Sequence, residues 1–157
     1  MAERAEALAA KFEAANNDVI ATVEAASDEQ WAATCADEGW SVGVVAHHIA
    51  GGTPLITGLV QALASGADLP ALTSEQLDQG NAQHAQEHAN CTKEETLEML
   101  RTGGPAAVTA VRGLSDEQLD RSSTVIAGVP DMSVEQVIEN VLIHSATGHL
   151  ASIKKSI

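Results

Sequence analysis

Residues 27–31 read Ser-Asp-Glu-Gln-Trp, and residues 115–119 read Ser-Asp-Glu-Gln-Leu. In each, a serine stands three places before a glutamine. That is the form of a capping box, in which the two side chains satisfy exposed amides at a helix start. Each box is followed, after a loop, by the same second signal: Ser41-Val42 with Val45, and Ser133-Val134 with Val137. A capped turn, a loop and a capped amphipathic helix, met twice, predict a pseudo-two-fold helix–turn–helix repeat. The fold class it implies is all-α, a four-helix bundle.

The flanking segments agree. Leu8, Phe12, Ala15, Val19 and Val23 recur at helical spacing and put one apolar face on residues 3–25. Val42, Val45, Ala46 and Ile49 make a similar stripe after Ser41, with Trp40 placed to pack on Val45. Gly51-Gly52-Thr53-Pro54 predicts a kink or brief break, because proline lacks an amide donor; the apolar pattern resumes at Leu55 and ends near Ser65-Gly66. A loop over 66–72 precedes a polar helix opened by Thr73-Ser74-Glu75-Gln76. Thr92-Lys93-Glu94-Glu95 opens another, to about Leu114, with a second kink expected at Gly103-Gly104-Pro105. The last helix starts at Ser133 and runs nearly to Ile157.

Composition sets limits. The 157 residues suit a single domain spanning 1–157. Aromatics are 2% of the chain, so the core must come from Ala, Val, Leu and Ile. A net charge of −14, from 22 acidic and 8 basic residues, opposes binding to nucleic acid or to an anionic membrane surface. No signal peptide or long apolar run stands out, and the two cysteines, Cys35 and Cys91, form no CxxC. A cytoplasmic location with reduced thiols is expected.

Six histidines carry the chemistry: His47, His48, His84, His88, His144 and His149. Imidazole is a common zinc ligand, and bundle metal sites are assembled from side chains that project inward from facing helices. His48 lies about 110° from the middle of the Val42/Val45/Ala46/Ile49 stripe, within reach of an inter-helix cleft, whereas His47 points almost opposite and is expected to face water. His144 and His149 flank the final helix's stripe about 140° apart in a regular α-helix. A one-residue π-bulge near Gly148 would bring them onto one face. Alternatively His149 binds alone, with Ser145 facing the site. His84-Ala85-Gln86-Glu87-His88 has the H-x-x-E-H form of inverted zinc peptidases. On a helix polar all round, the simpler expectation is a solvent-facing pair with one imidazole leaning toward the centre.

Trp40-Ser41-Val42-Gly43-Val44-Val45-Ala46-His47-His48-Ile49-Ala50 resembles the W-[ST]-V-x-x-V-x-x-H-[LI]-A stretch of the DinB-like superfamily. That group includes the mycothiol-dependent maleylpyruvate isomerase N-terminal domain and thiol S-transferases. His149-Leu150-x-x-Ile153 resembles its closing segment. The resemblance implies a bundle holding a divalent metal, zinc or nickel, through one ligand on the second helix and two on the last. His48 matches the first ligand and His149 the last; the middle one falls on Ser145, with His144 one place early. The implied ligand set is His48, His144 and His149, with Ser145 as a catalytic hydrogen-bond donor. The implied activity is that of a metal-dependent small-molecule enzyme, of thiol S-transferase or isomerase type, using a low-molecular-weight thiol. The alternative is a non-catalytic bundle with a degenerate metal site, acting as a binding or dimerisation module. The expected partner is a small-molecule substrate, with a homodimer compatible with exposed apolar stripes.

Overall fold

A computed structural model of the chain describes residues 3–157. The main helices are α1 (Glu3–Ala25), α3 (Val42–Ala64), α5 (Lys93–Arg112) and a terminal rod made of α7 (Val134–Val137), a π-helical segment (Ile138–Ile143) and α8 (His144–Ser156). Shorter elements join them: α2 (Asp28–Ala32), α4 (Ser74–Glu87), α6 (Asp116–Leu119), and the strands β1 (Ser122–Ser123) and β2 (Met132–Ser133).

Both boxes form as the sequence dictates. Ser27 and Ser115 each accept from the amide of the glutamine three residues on, and each glutamine side chain bonds back to the serine amide. Each box leads into a short antiparallel pairing, Thr34 with Ser41 in the first half and Ser122 with Ser133 in the second. Ser41 and Ser133 then cap α3 and α7. The repeat is therefore real in three dimensions.

Within the bundle α1 packs on α5, α5 on α3, α3 on the terminal rod, and the rod on α1. The first two long helices in sequence, α1 and α3, thus lie across a diagonal. The core divides along the bundle axis. Phe12, Val60, Val111, Leu119, Ile138 and Leu142 fill one end. Val19, Val45, Ile49, Leu100, Leu150 and Ile153 fill the other, which carries the histidines of α3 and α8. Two glycines are demanded by close approach. A Cβ at Gly104 would strike the buried Asn16 amide that donates to the Leu100 carbonyl, and one at Gly43 would strike the Trp31 indole.

Pro54 and Pro105 sit inside continuous helices, so of the kink or brief break expected at Pro54 the break does not form. Around Pro54, Thr53 Oγ1 donates to the Ile49 carbonyl (3.0 Å) and Thr57 Oγ1 to the Thr53 carbonyl (2.6 Å), while the carbonyl that loses its amide partner is that of Ala50. And α3, 23 residues long, is apolar and long enough to cross a membrane by length and composition, yet more than half of its most apolar stretch is buried inside the bundle. An interior bundle helix meets that criterion because the other helices, rather than lipid, cover its apolar surface.

Candidate metal centre

α3 is buried on more than its bundle face. Val42, Gly43, Val44, Val45, Ala46 and His47 are all buried in succession. The cover on the outer side comes from α4 and the linker after it. Trp31 Nε1 donates to the Cys91 carbonyl (3.3 Å), and the Cys91 thiol donates to the Gly43 carbonyl (3.3 Å), which fastens that linker to the start of α3. The expectation that His47 faces water is therefore overturned: it is 3% exposed. A wheel built on one apolar stripe does not register a polar helix laid over the opposite side.

α4 buries none of its residues. Its attachment is through histidines. His84 and His47 share a hydrogen bond between Nε2 and Nδ1 at 2.8 Å, one nitrogen donating and the other accepting. His88, the C-cap of α4, stacks on His47 with ring centroids 4.1 Å apart. His48 reaches the same group, 5.3 Å from the His84 centroid and 5.0 Å from that of His149. Trp40 lies edge-on to His48 at 5.5 Å. Five imidazoles thus form one row: His88, His47, His84, His48, His149.

Of the sequence-derived ligands, His48 and His149 come together. His144 stands apart. It is exposed, its ring lies over Gly148, and among the described residues it makes no ring contact with His48 or His149. A π distortion does occur, but over Ile138–Ile143; from His144 onward the helix is regular. The five-residue spacing therefore keeps its α-helical divergence. Ser145 is half-buried and shares a surface hollow with His144, His149 and Glu38.

His149 has a partner that local sequence gave no sign of. Glu38, in the loop before α3, accepts from His149 Nδ1 (3.1 Å) and from the Ser152 hydroxyl (2.6 Å). This carboxylate is 13% exposed. Fixing Nδ1 in this way assigns the tautomer and leaves Nε2 free to act.

The other end of the row is neutral. Burial, then neighbouring His88, lowers the pKa of His47. Burial, then His149 and His84, holds His48 down at about 4. Burial, then His47 and His88, does the same to His84, also about 4. Neutral imidazoles are the form that binds metal. Both cysteines have raised pKa values, chiefly from burial, and so remain thiols near neutrality.

Three donors fit an ion. One ring nitrogen each from His47, His84 and His88 lie within 4.8 Å of one another. Nitrogens sharing a tetrahedral zinc at about 2.0–2.1 Å stand roughly 3.3 Å apart, within that limit. His84 Nδ1 is buried and, among the described residues, has no hydrogen-bond partner. The superfamily positions fit less well, since Ser145 supplies a hydroxyl where zinc takes nitrogen, sulfur or carboxylate. Of the polar helix expected to face solvent with one imidazole leaning inward, the helix stays unburied but both His84 and His88 turn to His47. Glu87 of the H-x-x-E-H string nonetheless points away, exposed and bonded to Gln83 (2.7 Å). The peptidase roles do not carry over.

Comparisons agree with this architecture. The family model of the mycothiol maleylpyruvate isomerase N-terminal domain matches residues 12–146. No curated protein matches the chain. Among solved structures, YfiT from Bacillus subtilis, described as a probable metal-dependent hydrolase with an unusual four-helix bundle topology, superposes with a TM-score of 0.79. The match has 18% identity and covers 99% of this chain and 87% of that one; at that identity the likeness is one of fold. With a match over most of its length, the chain belongs to the mycothiol maleylpyruvate isomerase N-terminal domain family, a DinB-like group.

Proposed function

We propose that the protein is a metal-dependent enzyme acting on a small molecule, with a divalent ion held by His47, His84 and His88. The observation that carries this reading is the convergence of three ring nitrogens from α3 and α4 within 4.8 Å. A divalent ion there supplies Lewis-acid polarisation of a carbonyl group, or draws the ionisation of water or a thiol toward neutral pH.

The chain's own residues do the rest. His48 borders the same cavity and separates the triad from His149. Glu38 holds His149 with Nδ1–H engaged, so that Nε2 can accept a proton, and the carboxylate steadies the imidazolium that results. Ser145 offers a hydroxyl beside His149. The Glu38–His149 pair is arranged as a general base for a group lying in the hollow it shares with Ser145. A second reading rests on the family match: transfer or isomerisation with a low-molecular-weight thiol as the attacking group. Zinc or nickel suits the imidazole set equally.

Metal titration by calorimetry tests the proposal. About one zinc per chain is expected, with affinity falling by about 100-fold or more in His47→Ala and His84→Ala, since even outer-shell changes cost 10–100-fold. In His48→Ala the ion should stay. No ion at all, or loss only in His48→Ala and His149→Ala, refutes this placement.

A further inference from the structure

The triad opens onto a cavity of about 590 Å³ between α3, α4 and α5. That volume lies within the range of small-molecule sites, about 300–1,000 Å³. Two features of its lining bear on what enters. The wall away from the histidines is Leu55, Leu72, Leu77 and Met99, and Leu55 and Leu72 are among the few large apolar side chains left exposed on the molecule, at 77% and 42%. The ionised side chain of the lining is Glu95, and no lysine or arginine belongs to it.

The lack of a cation is built into the fold. All eight basic side chains are engaged elsewhere. Arg4, Lys11, Arg101, Arg112, Lys154 and Lys155 meet carboxylates on the outer surface of the bundle. Lys93 and Arg121 donate to the carbonyls of Ala26 and Ala64. An anionic group placed against the leucine wall would gain no cationic partner there; Glu95 stands at the other end, close enough to act on His47. Against the half-buried Leu77 and Met99 a charge sheds water without compensation, so such a ligand binds less well than one with an apolar end.

We infer that this cavity takes a compact molecule with one polar or anionic end, directed at the histidines, and an uncharged apolar body lying on Leu55, Leu72, Leu77 and Met99. A ligand with a second anionic group at its far end is rejected. The anionic end rests on the metal-dependent reading above, because the imidazoles themselves are neutral; the polar end and the apolar body stand on the lining.

Displacement of the neutral fluorophore N-phenyl-1-naphthylamine from the full chain tests it. Octanoate and octanedioate have the same chain length and offer the same first carboxylate to the histidine end; the diacid alone carries a charge to the leucine wall. The expected result is saturable dye binding, displaced by octanoate at least about tenfold more strongly than by octanedioate, tenfold being about 1.4 kcal/mol. Leu77→Arg and, separately, the exposed Leu55→Arg should narrow or invert that ratio by supplying the missing cation. Failure of the dye to bind, equal displacement by the two acids, or a ratio unchanged in both arginine variants overturns the inference. Metal content measured on the same samples keeps the two proposals apart. A preserved ratio without bound ion sinks only the enzyme reading, and a bound ion with equal displacement sinks only this one.

Discussion

The histidine row has two unlike ends. At the α4 end, His47, His84 and His88 crowd together, among the described residues with no carboxylate bonded to any of them, next to an apolar cavity, and burial keeps His47 and His84 neutral. At the α8 end, His149 is oriented by Glu38 and sits beside a more polar hollow with Ser145 and His144. The difference teaches how the same residue type is put to two uses. Neutral rings in a group suit an ion; a ring tied to a carboxylate suits a proton.

The comparison can be broken most forcefully by converting one end into the other. Ser145→His restores the spacing of four before His149 and gives the α8 end a ligand pair of its own. Zinc stoichiometry, read by plasma emission on dialysed protein, should rise from about one ion per chain toward two. A value fixed at one would mean that the α8 end cannot hold metal even with three histidines at hand.

Removing the carboxylate should cost stability as well as activity. Glu38→Ala leaves His149 Nδ1 and the 3%-exposed Ser152 hydroxyl without their acceptor. Urea denaturation should report a loss of about 1–3 kcal/mol, the penalty for stranding a buried polar group. Glu38→Gln, which keeps an acceptor oxygen, should lose less.

The neutral end predicts a pH response. In the folded chain His48 and His84 bind protons only near pH 4, whereas unfolded histidine binds them near 6.5. Between these values the unfolded chain holds more protons. Stability is therefore full above about pH 6.5 and is lost as pH falls toward 4. Melting temperatures of metal-free protein should drop across that window, and the slope should be shallower in His84→Ala. Solvent reaching both half-buried rings keeps the effect moderate. A flat profile would mean that both rings titrate as they do in the unfolded chain.

The smallest change is expected at His144. Its exposed ring lies over Gly148, outside the row. His144→Ala should leave metal content unaltered and stability within about 0.5 kcal/mol, as surface substitutions usually do. Loss of the ion there would reinstate it as a ligand.

Much of the fold could be read from local chemistry. Capping serines and threonines act within three residues, so Ser27, Ser41, Thr73, Thr92, Ser115 and Ser133 all mark helix starts that form. The apolar stripe of residues 3–25 likewise becomes α1. At Pro54 local sequence left a kink and a break open, and the helix continues. At the site, His48 and His149 were legible from their flanks, and the i, i+4 pair His84/His88 was visible as a pair. What stayed hidden was tertiary. Nothing near His47 announces that α4 will cover it. The partner of His149 stands 111 positions away in the chain, beyond any pattern a helix can display.

Anomalous diffraction at the zinc edge from zinc-soaked crystals tests the central claim most directly. The account predicts a peak bounded by the ring nitrogens of His47, His84 and His88. A peak between His48 and His149, with none at the α4 end, would contradict it.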